Sequence, residues 1–255
     1  MSSHGSVLRV GFFLDGYTLK KVNEYYSKHH RYHARLDFRA LKDWVRDYTT
    51  KLFGKDGCIV EIEAHYYHPY VRFEDTDLSV IDTGMGRFEK QLMLAGIEMH
   101  YNLPEEMGKM GPNMQLVEDA YLCAFYHKID VLVLLSTQGQ YSSLPERIRK
   151  ERIPVLLLGW NFMYEKENST VYWRTDASLR EMCGYYVAME KVAEMYPPDR
   201  HSTKNLFLLP YSSRTSQGQD VWNAYLQKLI ASLDEPKPGF EKTGYKKSPA
   251  MARLG

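Results

Sequence analysis

The sequence GPNMQLVEDAYLCAFYHKIDVLVLLSTQGQY, residues 111–141, combines a helical segment that begins with polar residues, a short apolar run and a small polar loop. The apolar run, residues 131–135, contains only Val and Leu, which is typical of a strand buried on both faces of a parallel sheet. In open α/β sheets, ligands bind just beyond the carboxyl ends of such strands. The loop at residues 136–140 is therefore the first place where we expect a functional site.

Apolar runs and segments of helical periodicity alternate through the rest of the chain. Strands are predicted at residues 7–14, 59–67, 97–101, 131–135 and 155–158, with 97–101 at an edge of the sheet. Helices are predicted at residues 16–30, at 37–53 with Asp37 as the cap, at 81–94, from Asn113 onward, and from a capping box at 143–146. This alternation, with its short connections, predicts an α/β fold with a mostly parallel sheet and helices on both faces.

The C-terminal part of the chain has a different pattern. Residues 1–190 are expected to form the α/β domain, residues 191–233 a helical extension and residues 234–255 a flexible tail. Helices are predicted at residues 178–196 and 221–233, separated by Pro197, Pro198 and a segment rich in Ser and Gln. We expect the extension to pack on the sheet domain or on a protein partner, a second copy of the chain included.

The composition is that of an ordinary globular protein of 255 residues. The formal net charge of +1 provides no overall attraction to nucleic acid or to a membrane, so any such attraction must come from a local patch. Three cysteines, Cys58, Cys123 and Cys183, show no metal-binding or disulfide spacing and predict reduced thiols in a cytoplasmic protein. No signal peptide and no apolar segment of the roughly 20 residues that a membrane-spanning helix needs are recognised.

Two aspartates stand where a carboxylate is costly. Asp15 directly follows the predicted strand at residues 7–14, so its carboxylate must be solvated, hydrogen-bonded or bound to a cation, unless it caps the helix that follows. Asp119 shares a helix face with Leu116, Ala120 and Cys123, because these residues follow the i, i+3, i+4 and i+7 spacing. A carboxylate within an apolar stripe has a partner, which is either a structural hydrogen bond or a ligand.

Three segments of the chain together form a recognisable pattern: VGFFLDG at residues 10–16, GPNMQLVEDA at residues 111–120 and DVLVLLSTQGQY at residues 130–141. These segments resemble the NYN family of the PIN-like ribonuclease superfamily, with a weaker similarity at residues 178–181. The resemblance covers roughly residues 7–190. It implies a PIN-like, Rossmann-like fold and a cluster of acidic residues that binds Mg²⁺ or Mn²⁺ and activates water for the hydrolysis of RNA.

The resemblance carries over to individual positions only in part. Asp15 and Asp119 match family acids and are the implied metal ligands, whereas Thr18 stands where an Asn is usual. The implied catalytic positions are Asp15, Asn113, Asp119, Gln138 and Gln140, and the last two together with Asn113 are amides where the family has acids. An amide oxygen can bind a hard cation, but each replacement removes one negative charge and weakens both metal capture and water activation.

The amides also have local interpretations. Asn113 precedes a helix and suits its cap, and Gln138 and Gln140 flank Gly139 and suit hydrogen bonds to loop backbone groups. Two functions follow for an RNA-directed protein of this kind. One is a weak or remodelled metal-dependent ribonuclease, and the other is a non-catalytic descendant that binds RNA or a protein as a regulatory or scaffold subunit.

A local basic segment lies at residues 20–42. Seven basic and two acidic side chains give it a net charge of +5, with three tyrosines interleaved. Basic side chains with interleaved aromatic rings suit single-stranded nucleic acid, although a solvated helical face has the same composition. The candidate RNA-binding residues are Lys20, Lys21, Lys28, Arg31 and Arg35. No set of His and Cys residues has zinc-site spacing, so no histidine is assigned as a ligand.

Overall fold

The structure is a computed structural model that describes residues 6–68, 86–101, 113–166, 169–198 and 205–208. Six strands form one sheet, and every neighbouring pair in it is parallel. The strands are β1 Val7–Asp15, β2 Ile59–Tyr67, β3 Glu98–His100, β4 Val131–Leu135, β5 Val155–Gly159 and β8 Tyr185–Ala188. Their order across the sheet is β3-β2-β1-β4-β5-β8. The predicted α/β class with a parallel, Rossmann-like sheet is confirmed.

Helices cover both faces of this sheet, because the strand side chains alternate between two apolar clusters. Phe12 and Leu14 belong to the cluster under one set of helices, and Phe13 belongs to the cluster under the other set. The first set comprises α1 Gly16–Glu24, α2 Phe38–Phe53, α3 Gly86–Leu94 and α7 Met189–Met195. The second set comprises α4 Met114–Phe125, α5 Ser143–Lys150 and α6 Ala177–Met182. A π-helical segment, Tyr25–His29, continues α1, and a 3-10 turn, Gly139–Tyr141, precedes α5.

The single helix predicted at residues 178–196 is wrong. It is interrupted by β8, whose residues pair with β5 from Leu156↔Tyr185 to Gly159↔Ala188. Tyr185 and Val187 are buried there, since aromatic and β-branched side chains pack well on a sheet. The sheet edge that β5 offers therefore overrides the helical periodicity of this segment. An antiparallel hairpin, β6 Phe162–Lys166 and β7 Ser169–Trp173, was also not expected.

The capping box predicted at residues 143–146 is also wrong. Ser142 is the N-cap of α5, and it makes no side-chain capping bond. The backbone of Ser142 is already helical (φ −58°, ψ −27°) because the chain enters α5 directly from the 3-10 turn. A capping side chain needs an extended backbone at this position. The helical turn thus replaces the cap.

Most of the predicted extension and all of the predicted tail lie outside the described residues, as does the first part of the helix expected at residues 81–94. The described residues 205–208 return to the sheet domain, where Leu36 and Phe207 form a β-bridge and Leu206 and Phe207 are buried. Cys58, Cys123 and Cys183 are free thiols. In the described ranges, no helix has both the length and the apolarity to cross a membrane.

Candidate functional site at the switch point of the sheet

The strand order reverses direction between β1 and β4. The chain passes from β1 outward to β2 and β3, and then returns to β4 on the other side of β1. At such a point the connections after the two strands diverge and leave a crevice at their carboxyl ends, where open α/β sheets bind ligands. Asp15 ends β1, and the loop that begins with Ser136 follows β4. The sequence prediction of a site at this loop therefore coincides with the switch point.

Asp15 is 4% exposed and caps α1. Its carboxylate accepts hydrogen bonds from the hydroxyls of Thr18 (2.6 Å), Ser136 (3.2 Å) and Tyr141 (3.4 Å). It also accepts from the backbone N–H groups of Tyr17 and Thr18, both at 3.3 Å. Burial raises the pKa of Asp15, and the hydrogen bonds from Thr18, Ser136 and Tyr17 act in the opposite direction. Of the alternatives open from the sequence, the structure shows two together, the helix cap and a hydrogen-bonded carboxylate.

Hydroxyl groups hold the loop after β4. The Thr18 hydroxyl accepts a hydrogen bond from the Thr137 N–H (3.1 Å) and contacts the Thr137 hydroxyl (3.1 Å). The Ser136 hydroxyl accepts from the Gln138 N–H (3.1 Å). The side chains of Gln138 and Gln140 make no hydrogen bond to any described residue; Gln138 is half-buried and Gln140 is exposed. Their predicted role in satisfying loop backbone groups is therefore filled by the hydroxyls instead.

Asn113 belongs to the same network but has a structural role. It is buried, and its Oδ1 accepts from the Leu116 N–H (3.1 Å) as the cap of α4. Its Nδ2 donates to the carbonyl of His68 (3.3 Å), and its backbone N–H donates to the hydroxyl of Tyr141 (3.0 Å). The Tyr141 hydroxyl thus connects Asn113 to Asp15. The local interpretation of Asn113 as a helix cap is confirmed.

A carboxylate that sequence reasoning missed lies against the loop. A Cβ atom added to Gly139 would stand 2.5 Å from Cγ of Asp176, so only glycine leaves room here. Asp176 donates its N–H to the Thr137 carbonyl (3.0 Å) and caps α6 through Ser178. The hydrogen bonds from Ser178 lower the pKa of Asp176. The sequence signal that could have found this residue is that Asp is a common N-cap residue and stands three positions before the apolar Leu179.

Asp119 lies in a different network from that of Asp15. Its Oδ2 accepts from the Tyr67 hydroxyl (2.9 Å) and stands 3.9 Å from Nδ1 of His100. A cation on Asp15 would have to displace donors that fill its carboxylate, and the described hydrogen bonds lead from the two aspartates to different groups. The described residues therefore do not fit a Mg²⁺ or Mn²⁺ site built on Asp15 together with Asp119.

Two histidines and a glutamate form a second polar cluster on β2 and β3. Nδ1 of His65 lies 3.2 Å from Nε2 of His100 and 3.4 Å from Oε2 of Glu98. Burial and the neighbouring His100 lower the pKa of His65. No histidine was predicted as a ligand, because no set of His and Cys residues has zinc-site spacing in the sequence. The available signal was the i, i+2 spacing of Glu98 and His100, which places both on one face of a strand.

The candidate RNA-binding residues lie along α1 and beyond it. Lys21 and Lys28 both pair with Glu24, at 3.6 and 3.0 Å, which uses part of their charge locally. Arg31 lies over the ring of Tyr32 (5.4 Å to the centroid), and Lys20 and Arg35 are exposed. Helix α1 packs on the face of the sheet opposite to α4. The basic segment is thus linked to Asp15, which caps α1, whereas Asp119 lies on a helix of the opposite face.

A row of aromatic rings runs from the crevice to the basic segment. Tyr17, the second residue after Asp15, contacts Trp173 of the hairpin (5.7 Å between ring centroids), and Tyr25 stacks on Phe162 (4.2 Å). The complete row, with each ring contacting the next, is Tyr17, Trp173, Phe162, Tyr25, Tyr164 and His29. The hairpin β6–β7 is thereby attached to α1 and to the π-helical segment.

Comparison with known proteins adds little to this description. No protein-family model matches the chain, and no curated protein matches it. A solved protein of unknown function from Vibrio parahaemolyticus is similar to it, with 17% sequence identity, a TM-score of 0.48 and coverage of 74% of this chain and 96% of that chain. UDP-GlcNAc 2-epimerase from Neisseria meningitidis, bound to UDP-GlcNAc, shows 10% identity, a TM-score of 0.34 and coverage of 71% and 40%. Likenesses this distant carry no argument about function.

Proposed function

We propose that this protein binds single-stranded RNA along the switch-point edge of its sheet and the adjacent basic segment, without metal-dependent hydrolysis. The observation that carries the proposal is the environment of Asp15. The carboxylate that the NYN resemblance makes a metal ligand is buried and accepts five hydrogen bonds. Metal-dependent phosphodiester hydrolysis needs carboxylates that are free to hold a cation and orient water.

RNA binding is supported by the surface that surrounds the crevice. Tyr17, two residues after Asp15, is 43% exposed, and the side chains of Gln138 and Gln140 on the loop after β4 hydrogen-bond to no described residue. An exposed ring can stack on a base, and amide side chains can hydrogen-bond to base edges. Arg31 and Arg35 follow His29, the last ring of the row, in the chain and are exposed, so they would contact backbone phosphates.

The location that we propose is the cytoplasm, because free thiols are typical of a reducing compartment. The segment at residues 191–233 is the first candidate for a contact with a protein partner, which would make this chain a regulatory or scaffold subunit.

One observation favours the second candidate function, a weak or remodelled ribonuclease. Asp176 lies against Gly139 and brings an exposed carboxylate to the same loop that Asp15 anchors through Ser136. A single exposed carboxylate can hold Mg²⁺ or Mn²⁺ when substrate phosphate supplies other ligands. Residual hydrolysis would then depend on Asp176.

The two candidates are separated by fluorescence anisotropy with a short single-stranded RNA, in EDTA and in Mn²⁺, with cleavage followed on gels. We expect binding in EDTA that Arg31→Gln combined with Arg35→Gln weakens. Loss of two phosphate contacts should make the slope of log K against log salt shallower by about 1.4. The matched control combines Arg147→Gln with Arg149→Gln on α5, both exposed, and should bind as the wild type does.

Three other results contradict the proposal. Absence of RNA binding would leave a protein-interaction module, and equal loss in both double variants would reduce the effect to net charge. Cleavage in Mn²⁺ that Asp176→Asn abolishes would establish the ribonuclease instead.

A further inference from the structure

The second polar cluster arises from the pairing of two strands. His65 is the register partner of Glu98, and Tyr67 is the partner of His100, in the parallel pair β2–β3. Alternation along each strand therefore places His65, Glu98 and His100 on the same face of the sheet. The two imidazoles are 17% exposed, whereas the Glu98 side chain is 66% exposed at the edge strand. The cluster thus has a buried wall and an open side.

Two of the three distances between the donor atoms match the spacing around one tetrahedral ion. Two ligands that each lie about 2.0–2.1 Å from Zn²⁺ at the tetrahedral angle are about 3.3–3.4 Å apart. The observed distances are 3.2 Å between His65 Nδ1 and His100 Nε2, and 3.4 Å between His65 Nδ1 and Glu98 Oε2. All three donor atoms lie within 4.8 Å of one another. A small rotation of the exposed Glu98 side chain would bring its carboxylate oxygen to ligand distance from the same ion as the two imidazoles.

We propose that His65, Glu98 and His100 form a binding site for a divalent transition metal ion, with Zn²⁺ as the ion that the donor set fits. Two imidazoles and one carboxylate suit Zn²⁺, whereas Mg²⁺ and Ca²⁺ prefer oxygen ligands throughout. Three protein ligands leave the fourth position to water on the open side beside Glu98. This inference does not rest on the proposed function, since the cluster and the aromatic row share no residue.

A carboxylate lies near the ring nitrogen of His100 that faces away from the proposed ion. With Nε2 directed at the ion, Nδ1 lies 3.9 Å from Oδ2 of Asp119, the acceptor nearest to an Nδ1–H, and 3.3 Å from the side-chain nitrogen of Gln115. Such outer partners set the tautomer and orientation of a ligating imidazole. The Tyr67 hydroxyl holds Asp119 at 2.9 Å, and the Tyr67 ring stacks on His100 with centroids 4.5 Å apart. Asp119 is therefore a positioning residue for this site.

The bound ion would stabilise the edge of the sheet. Strand β3 has three residues and, among the strands of the described residues, pairs with β2 alone. Asp119 belongs to α4. Ligands from both strands would join β3 to β2, and the outer contact of His100 would join both to α4. Binding to the folded state alone raises stability by mass action.

The test is calorimetric titration of Zn²⁺ into the full chain after removal of metal with EDTA. We expect one ion per chain for the wild type and for the control variant Glu118→Gln, an exposed carboxylate on α4. Asp119→Asn should weaken binding by about 10- to 100-fold, and the ligand variants Glu98→Gln and His100→Gln should weaken it further. Circular dichroism checks folding, and Glu98→Gln alters an exposed side chain that the fold does not need.

Co²⁺ provides an independent readout, because tetrahedral coordination gives intense visible absorption that octahedral Co²⁺ lacks. The alternative is that the short contact between His65 and His100 is a hydrogen bond between imidazoles. Equal Zn²⁺ affinity in Glu98→Gln and Glu118→Gln, or no saturable binding at all, would establish that alternative and overturn the proposal. A strong near-ultraviolet band from thiolate-to-Co²⁺ charge transfer would overturn it as well, since the ion would then lie on a cysteine.

Discussion

Replacing Thr18 with valine should destabilise the protein far more than an isosteric change normally does. Thr18 is fully buried at the first turn of α1. Its hydroxyl donates to Asp15 at 2.6 Å and accepts from the backbone N–H of Thr137 at 3.1 Å. Valine keeps the shape of the side chain but removes both bonds, which connect the ends of β1 and β4 across the switch point.

The expected cost follows from the two bonds. A hydrogen bond to a charged group contributes about 1.5–3 kcal/mol, and a buried N–H left without an acceptor costs about 1–3 kcal/mol. The added methyl group returns about 0.8 kcal/mol. We therefore expect Thr18→Val to lower the free energy of unfolding by about 2–5 kcal/mol. The pKa of Asp15 should rise further, because the Thr18 hydroxyl is the main group that lowers it.

Urea unfolding, with the slope on denaturant unchanged, measures this loss. The matched control is Thr49→Val, because Thr49 is equally buried but donates only to helix carbonyls of Val45 and Arg46. Thr18→Ser retains the hydroxyl and should recover most of the stability. If Thr18→Val costs no more than Thr49→Val, the hydroxyl network does not hold the switch point together and the reasoning fails.

Three further predictions concern the same framework. Because the folded pKa of Asp15 is raised, the stability that Asp15 contributes is present at acid pH and is lost as pH rises through that pKa. The free energy of unfolding of the wild type, relative to that of Asp15→Asn, should therefore decrease between acid and neutral pH, by about 1.4 kcal/mol for each unit by which the folded pKa exceeds the unfolded pKa. Urea unfolding at several pH values measures this decrease. An advantage that grows with pH would show a lowered pKa. Gly139→Ala must displace Asp176 from its cap and should lower the melting temperature, at a cost of about 0.5–2 kcal/mol. Asp130→Ala removes the partner of Arg9, whose side chain and N–H contact it at 2.8–3.0 Å, and should cost about 1–3 kcal/mol in the same assay; a neutral effect would show that water replaces this pair.

Local patterns account for the features that were predicted correctly. The strands at residues 59–67 and 131–135 match β2 and β4, and Asp37 and Asn113 cap their helices. A helix cap needs only the residues of its own first turn, and a buried strand needs only a short apolar run between turn signals. Helix caps and buried strands depend on a few consecutive residues, so they can be predicted from the sequence of a short segment.

The site was predicted less completely, because its members come from different strands. The loop after β4 was located correctly, but Asp15 and Asp119, which the resemblance placed in one cluster, belong to different networks. Asp176 reaches the loop only because α6 begins beside Gly139. The position of each of these side chains depends on how distant segments pack.

The sequence by itself determined the α/β class, the buried parallel strands and the placement of a polar loop at the end of β4. These features follow from the pattern of apolar residues and turn residues within short segments. The tertiary structure alone decided that Tyr185–Ala188 is a strand, that hydroxyls fill the carboxylate of Asp15, and that His65, Glu98 and His100 meet. The physical reason is strand pairing. The free energy of a sheet edge and the register of two strands depend on residues far apart in the chain, and no short segment carries that information.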